Sequence, residues 1–382
     1  MTQLKPDSDQ GLGTLCVHSG HAPDPATGAI APPLYLTTTF ERDVDGSYPR
    51  GYRYSREKTP NRTAVETCVA ALEGGKTAFA FASGLAASLA IFEQLRSGDH
   101  VVAPREGYHG TLNQLKAIVA NRGITVELID TTQPAAVETA LARPTRLLWL
   151  ETPANPLLSI TDLAHAIEVA HRHGTLVACD NTFATPICQR PLDLGADLVV
   201  HSGTKYLGGH SDVLSGLAVV RSDAELTERI RSWQALAGSV LGPFDCWLLR
   251  RSIVTLPLRM RQQCTSAAAL ADRLAAHPRI ARVMYPGLAT HPGHQIAARQ
   301  MHGGFGAMLA LCVRGGRDEA MEVASRTRLF RRATSLGGAE SLIEHRASIE
   351  GPASTTPQNL LRLSVGLEDM ADLEADLREA LA

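Results

Sequence analysis

The chain has 382 residues, of which 44% are hydrophobic and 20% charged, and its formal net charge is -2. This composition is typical of a globular protein larger than one average domain, and the lack of a basic excess argues against a general nucleic-acid binder. We recognise no signal peptide and expect no membrane span. The seven cysteines are scattered without a C-x-x-C pair, which favours a cytoplasmic location over disulfides or structural zinc.

The chain divides into three segments that differ in composition and in hydrophobic periodicity. Residues 1–60 form a predicted arm, rich in proline and glycine and weakly periodic. Residues 61–245 alternate amphipathic segments with the apolar runs TAFAFA, HVVAP, ITVELID, RLLWLE, TLVACD and ADLVV. Short apolar runs between helices predict βαβ units and a mostly parallel α/β sheet, to which LSGLAVV adds a strand. Residues 246–382 combine long helical segments with strand-like ARVMYP, GAMLALCV and LLRLSVGLE, which predicts a smaller α+β domain.

Chemically active residues follow the predicted strands. They are, in chain order, a helix start at Gly84 and Leu85, then Tyr108, Asn155, Asp180, Ser202, Thr204 and Lys205. Ligands in open α/β sheets bind beyond the carboxyl ends of the strands. We therefore expect these residues to converge on one edge of the sheet.

Lys205 is the most unusual of these residues. It is one of five lysines among 37 basic residues, and it follows a buried strand beside small residues. Desolvation there would lower the pKa of the amine and favour its neutral, nucleophilic form. Alone, Asp180 could simply cap the next turn and Tyr108 could simply pack.

Together, an amine, a carboxylate and an anion-binding helix start suit pyridoxal phosphate. The amine would bind the cofactor aldehyde, the carboxylate would keep the pyridine nitrogen protonated, and the helix start would hold the phosphate. His201, His210 and Asp212 match no common ligand spacing, so we predict no metal site.

Eight motifs carry a family resemblance along nearly the whole chain. They are YRYSR, LEGG, FASGLAA, ETPANP, DNTFATP, SGTKYLGGHSD, SLGGAESL and LLRLSVGLED. Their order resembles the Cys/Met-metabolism pyridoxal-phosphate enzymes, which include cystathionine γ-synthases, γ-lyases and β-lyases. The resemblance implies a type I aminotransferase-like fold with an arm, a cofactor domain and a smaller C-terminal domain. It also implies a homotetramer, built as a dimer of dimers with shared active sites.

The resemblance also implies a role for each site residue. Lys205 would hold the cofactor covalently and shuttle protons, Asp180 would pair with the pyridine nitrogen, and Tyr108 would stack on the ring and assist proton transfer. The phosphate would be bound by Gly84, Leu85, Ser202 and Thr204 and, from a neighbouring subunit, by Tyr54 and Arg56. The substrate carboxylate would be bound by Arg362, with Asn155 and Ser335 nearby.

Three positions bear on the member of the family. Leu336 stands where enterobacterial β-lyases carry tryptophan, Gly110 where methionine γ-lyases carry cysteine, and Thr334 where γ-synthases and γ-lyases often carry glutamate. We expect γ-elimination or γ-replacement on a sulfur-containing or homoserine-derived amino acid, of the cystathionine γ-lyase or γ-synthase type. A β-lyase, a methionine γ-lyase and an O-acyl-homoserine sulfhydrylase remain alternatives, and a non-catalytic scaffold is a distant one.

Overall fold

The computed structural model describes residues 10–351 and 355–382, so the first nine residues of the predicted arm lie outside the described part. Each of the seven apolar runs between residues 77 and 220 forms a strand of one sheet. The strands are β1 (Thr77–Phe81), β2 (His100–Pro104), β3 (Thr125–Ile129), β4 (Leu147–Glu151), β5 (Leu176–Asp180), β6 (Leu198–Ser202) and β7 (Gly216–Val220).

The order in this first sheet is β1-β7-β6-β5-β4-β2-β3. The five strands from β6 to β3 run parallel, whereas β7 is antiparallel to both of its neighbours. Every residue of β2 and β4 is buried, as expected for parallel strands covered by helices on both faces. The carboxyl ends of β4, β5 and β6 therefore lie side by side.

Eight helices precede or surround the first sheet within the described residues. They are α1 (Leu12–His18), α2 (Pro60–Glu73), α3 (Gly84–Phe92), α4 (His109–Gln114), α5 (Pro134–Leu141), α6 (Leu163–Arg172), α7 (Thr185–Cys188) and α8 (Ala224–Ala237). A π-helical turn, Leu115–Val119, and a 3-10 turn, Ala120–Arg122, continue α4. Helix α1 was not predicted, because seven residues are too few to show periodicity; it buries Leu15 and Cys16.

A second, five-stranded sheet lies in the C-terminal part of the chain. Its strands are β8 (Ile280–Met284), β9 (Met308–Val313), β10 (Arg331–Arg332), β11 (Leu342–His345) and β12 (Leu360–Ser364), in the order β10-β11-β12-β9-β8. The remaining helices are α9 (Pro243–Ile253), α10 (Leu256–Ala275), α11 (His294–Gln300), α12 (Arg317–Arg326), α13 (Arg346–Glu350) and α14 (Met370–Ala380). The division proposed between residues 245 and 246 falls within α9.

The helical segment after residue 222 is interrupted where the sequence indicated. Helix α8 ends at Ala237 and is capped by Gly238, whose φ of 70° lies in the left-handed region that glycine tolerates, and α9 begins after Gly242 with a proline in its first turn. Within residues 10–351 and 355–382, none of the helices combines the length and the apolar character that a membrane crossing needs.

Candidate active site

Lys205 lies just beyond the end of β6, with its side chain directed toward the second sheet. Its Nζ donates a hydrogen bond of 2.8 Å to the hydroxyl of Ser335. Burial, and next the positive charge of Arg362, lower the pKa of Lys205 to about 8. The amine is thus far easier to deprotonate than an ordinary lysine.

Asp180 is the last residue of β5. Its Oδ1 accepts hydrogen bonds from the backbone N–H of Thr182 at 3.0 Å and from the Thr182 hydroxyl at 2.5 Å. Burial raises the pKa of this carboxyl group above its usual range. Because both bonds go to Oδ1, Oδ2 is left for a ligand, and a cationic ligand would restore the ionised form.

The start of α3 lies against the end of β6. The Ser83 side chain caps the helix by accepting a hydrogen bond from the N–H of Ala86 at 3.1 Å. A Cβ at Gly84 would lie 2.9 Å from Cβ of Ser202, so only glycine allows this approach. The amides of Gly84 and Leu85 belong to the first helical turn and have no acceptor within the helix. Free amides at a helix start can bind an anion, and the Ser202 side chain lies beside them.

The Thr204 hydroxyl is hydrogen-bonded within its own loop, which the sequence did not indicate. Its hydroxyl donates to the carbonyl of Ser215 at 3.2 Å and accepts from the N–H of Ser215 at 3.0 Å. The oxygen therefore has both a donor and an acceptor within the protein, although Thr204 does line the cavity.

Arg362, in the middle of β12, is buried and is not a surface residue. Its Nη1 donates to Oδ1 of Asn155 at 3.0 Å, and its Nη2 donates to the carbonyl of Ser335 at 2.9 Å and to Oε2 of Glu344 at 2.6 Å. Burial lowers the pKa of Arg362 to about 10, so the guanidinium remains charged at neutral pH. Asn155, Ser335 and Arg362 thus form one hydrogen-bonded group.

Glu151 is a site residue that the sequence analysis missed. Its Oε2 accepts from the N–H of Tyr108 at 2.7 Å and its Oε1 from the N–H of Asn155 at 2.8 Å. Burial, and next the charge of Asp180, raise the pKa of Glu151 to about 8. The sequence did contain a sign of this role, because Glu151 is the last residue of the apolar run RLLWLE just as Asp180 is the last residue of TLVACD. In the sheet, the two residues lie opposite each other in register.

Glu344 and Arg346 were also missed. Glu344 Oε2 accepts from Arg346 Nη1 at 2.8 Å as well as from Arg362 Nη2, so one carboxylate joins two arginines. Arg346 Nη2 lies 3.0 Å from Oε1 of Glu350 and 3.4 Å from Nδ1 of His109. Glu344 lies in the four-residue strand β11 and Arg346 begins the five-residue helix α13, and both elements are too short for their sequences to mark these two residues as part of a site.

One cavity of about 220 Å³ collects most of the predicted site residues. Its lining includes Gly84, Leu85, Tyr108, Asn155, Asp180, Ser202, Thr204, Lys205, Ser335 and Arg362. Tyr54 and Arg56 are not brought to this cavity: Tyr54 is exposed, and Arg56 donates to the carbonyl of Ala235.

The two histidines of the Lys205 segment have separate partners. His201 Nε2 lies 2.5 Å from Oε1 of Glu73 on α2, whereas His210 Nδ1 lies 2.8 Å from the carbonyl of Gly208 in its own loop. Within the described ranges, no group of three or more His, Cys, Asp or Glu residues could hold a metal ion.

The cavity fits pyridoxal phosphate at three separate points. An amine with a lowered pKa, a partly buried carboxylate whose hydrogen bonds from Thr182 both go to Oδ1, and a helix start that only glycine permits all face the same space. They match the aldehyde, the pyridine nitrogen and the phosphate of that cofactor. Fold and site thus define a pyridoxal-phosphate enzyme.

Comparison with known proteins gives the family. The model of the Cys/Met metabolism PLP-dependent enzymes matches residues 13–382, and the chain belongs to that family. Among its relatives, the cystathionine gamma-synthase of Mycobacterium tuberculosis is 47% identical over 97% of both chains. The cystathionine beta-lyase of Coxiella burnetii is 42% identical, also over 97% of both chains.

Solved structures of family members have the same fold as this chain. The crystal structure of cystathionine gamma synthase from Xanthomonas oryzae pv. oryzae in complex with cystathionine is 40% identical, with a TM-score of 0.94 over 97% of this chain and 98% of that one. The predicted family, the type I aminotransferase-like fold and the dependence on pyridoxal phosphate are therefore confirmed.

Proposed function

We propose that the chain catalyses γ-elimination or γ-replacement on a sulfur-containing or homoserine-derived amino acid. The group Lys205–Ser335–Arg362 carries this proposal, because it sets a proton-transferring amine beside an anchor for the substrate α-carboxylate. The 47% identity to a cystathionine gamma-synthase supports γ over β chemistry. Leu336 supports it too, since it lines the cavity where enterobacterial β-lyases carry tryptophan.

Each site residue would bind one part of the cofactor. Pyridoxal phosphate, when bound, supplies an aldehyde carbon and an electron-accepting ring. Lys205 would hold it, Asp180 would keep its ring nitrogen protonated, and the α3 start with Ser202 would bind its phosphate, while Thr204, whose hydroxyl bonds Ser215, would shape the loop beside it. Tyr108 would stack on the ring.

Proton transfer would fall to Lys205. With a pKa of about 8, a useful fraction of the amine is neutral near physiological pH and able to accept the substrate α-proton. The Ser335 hydroxyl holds Nζ at the cavity, and Arg362 fixes the substrate carboxylate through a fork suited to two oxygens. Nζ would then move a second proton from the β-carbon, as loss of the γ-substituent requires.

We also propose that the arm serves a neighbouring subunit. Tyr54 is 42% exposed and, with Arg56, lies outside the cavity of its own chain. The same arm exposes Ile30, Leu36 and Val44, apolar side chains that a second copy would cover. A homotetramer made of two such dimers, in the cytoplasm, is the assembly we expect.

A substrate panel tests the proposed function. Holoenzyme is supplied with cystathionine, cysteine, methionine or O-acyl-homoserines, with and without a thiol, and the products are identified. We expect 2-oxobutanoate, or a thioether when a thiol is present. Pyruvate from cystathionine without 2-oxobutanoate would establish the β-lyase alternative instead.

A spectrum separates the enzyme from a non-catalytic scaffold. Purified protein supplied with cofactor should absorb near about 420 nm, as enzymes that hold pyridoxal phosphate on a lysine do. A colourless protein without turnover on the panel would contradict a catalytic role.

A further inference from the structure

Glu151, the last residue of β4, contacts two loops of the cavity at once. Its side chain is buried, and each of its two oxygens accepts a backbone N–H group, from Tyr108 at 2.7 Å and from Asn155 at 2.8 Å. The first loop follows β2 and carries the ring proposed to stack on the cofactor. The second follows β4 and belongs to the group proposed to bind the substrate carboxylate. One carboxylate therefore fixes both loops relative to each other.

On the first loop, Glu151 fixes the backbone from which the Tyr108 ring extends. The loop passes close to the carboxylate, since a Cβ at Gly107 would lie 3.0 Å from Oε2 of Glu151. Tyr108 immediately precedes α4, so the same hydrogen bond also fixes where that helix begins. Because the ring turns only about two side-chain torsions with preferred values, a shift of this backbone moves the ring with it.

On the second loop, the hydrogen bonds continue from Glu151 to the second sheet. The backbone of Asn155 is held by Glu151, and its side-chain Oδ1 accepts a 3.0 Å bond from Nη1 of Arg362 on β12. The position of the Arg362 guanidinium thus depends on a loop that Glu151 holds in place.

The two converging N–H groups require a carboxylate of this length. Glutamine would offer one oxygen and would set its own NH2 group against the other N–H, and aspartate, one methylene shorter, would draw both oxygens away. Burial and the charge of Asp180 raise the pKa of Glu151, so the ionised form is unfavourable here apart from the two N–H donors that favour it. The double hydrogen bond is therefore the feature that a glutamate at this position provides.

We propose that Glu151 is a positioning residue that couples the ring of Tyr108 to the carboxylate-binding pair Asn155 and Arg362. It acts through two backbone N–H groups, so that the cofactor-stacking ring and the substrate anchor keep one relative geometry. This inference rests on the proposed function for the roles of Tyr108, Asn155 and Arg362. It does not depend on which γ-substituent leaves.

L-Norleucine has no leaving group on its γ-carbon, so it tests the coupling without the γ-reaction. Its dissociation constant from the holoenzyme, measured by the change in cofactor absorbance, reports on Asn155 and Arg362. The rate at which its α-hydrogen exchanges with deuterium from D2O, measured by NMR at saturating norleucine, reports on proton transfer by Lys205 and Tyr108.

Glu151→Gln should weaken norleucine binding about tenfold and slow the exchange about tenfold, because hydrogen bonds to a buried charged acceptor are lost. Glu168→Gln, which neutralises an exposed carboxylate on α6 outside the cavity, should change neither quantity. The double variants make the test specific. In an Asn155→Ala background, Glu151→Gln should no longer affect binding but should still slow the exchange. In a Tyr108→Ala background, it should no longer slow the exchange but should still weaken binding.

Glu151→Asp separates position from charge and decides the matter if the glutamine variant does not fold. It keeps a negative charge beside Asp180 but lengthens both hydrogen bonds, so it should give the same pattern in the two backgrounds. Equal losses in every background would overturn the proposal, since they would mean that Glu151 only stabilises the fold. So would an aspartate variant that behaves as the wild type, because the charge alone would then suffice. Failure of the γ-reaction is a separate result, which the product analysis above reveals.

Discussion

Lys205 and Ser335 are joined by a 2.8 Å hydrogen bond, although 130 residues separate them along the chain. Lys205 follows the last parallel strand of the first sheet, and Ser335 precedes β11 of the second sheet. The carbonyl of the same serine accepts a 2.9 Å bond from Arg362. One residue of the second sheet region therefore positions both the amine and the guanidinium.

Replacing Lys205 with alanine should abolish catalysis. The variant loses both the attachment point of the cofactor and the group that moves protons, so kcat should fall by more than about 1000-fold. Absorbance near about 420 nm should disappear with it. Lys116→Ala, which removes an exposed lysine, provides the control and should retain both signals. An unchanged absorbance band in the Lys205 variant would contradict the assignment.

Asp180→Asn should separate cofactor binding from catalysis. Asparagine still accepts the Thr182 hydrogen bonds but has no charge to keep a ring nitrogen protonated. We expect the cofactor to be retained while kcat falls by about 100-fold or more. Thr182→Val, which removes the 2.5 Å hydroxyl donor but keeps the carboxylate, should cost only about tenfold. Comparable losses in both variants would argue against the role of the charge.

Gly110→Ala should impair activity without reducing stability. A Cβ at Gly110 would lie 2.6 Å from Cε1 of Tyr108, so the ring must move. We expect kcat/KM to fall by about tenfold, because misplacing a contacting group costs rate. Alanine favours a helix by up to about 1 kcal/mol over glycine, so urea unfolding should show no loss. Gly13→Ala in α1, where a Cβ meets no neighbour within 4 Å, should leave activity unchanged.

The lowered pKa of Lys205 predicts a pH-dependent stability difference in cofactor-free protein. The folded state releases the Lys205 proton above about pH 8, whereas the unfolded state keeps it until its ordinary pKa of 10.5. Between these values the unfolded state binds more protons, so rising pH relieves the cost of burying the charged amine.

Lys205→Met carries no such cost at any pH. Its advantage over the wild type in free energy of unfolding should be largest below about pH 8 and should shrink by about pH 9.5. Urea titrations of both cofactor-free proteins at these two pH values measure the difference. An advantage that does not change with pH would show that the amine is not desolvated.

Much of this fold could be predicted from the local pattern of apolar residues in the sequence. The strands of the first sheet are continuous apolar runs because helices cover both faces, and the residues at their ends converge because parallel strands share one edge. The position of Asp180 and Lys205 at that edge could therefore be predicted without structure. Helix α1 could not be predicted, because its seven residues are too few to show a helical period. Packing of Leu15 and Cys16 stabilises it instead.

The missed site residues depend on tertiary pairing. Glu344 lies in a short strand and Arg346 in a five-residue helix. Glu344 bonds Arg362 and Arg346 contacts His109, and these partners are not neighbours in the sequence. Burial of Arg362 depends equally on Glu344. Local sequence does not encode such partners, so only the folded chain reveals that two arginines share one carboxylate.

The pairing of Glu344 with Arg362 has a consequence for how the second sheet forms. Glu344 lies directly opposite Arg362 in the antiparallel register of β11 and β12. Every residue of β12 is buried, so its apolar pattern does not distinguish one alignment from another. A slip by one residue would set Arg362 against Ile343 or His345 and leave a buried charge without its carboxylate. The proposed substrate anchor thus also aligns the sheet, and selection for tighter binding at Arg362 is constrained by correct folding.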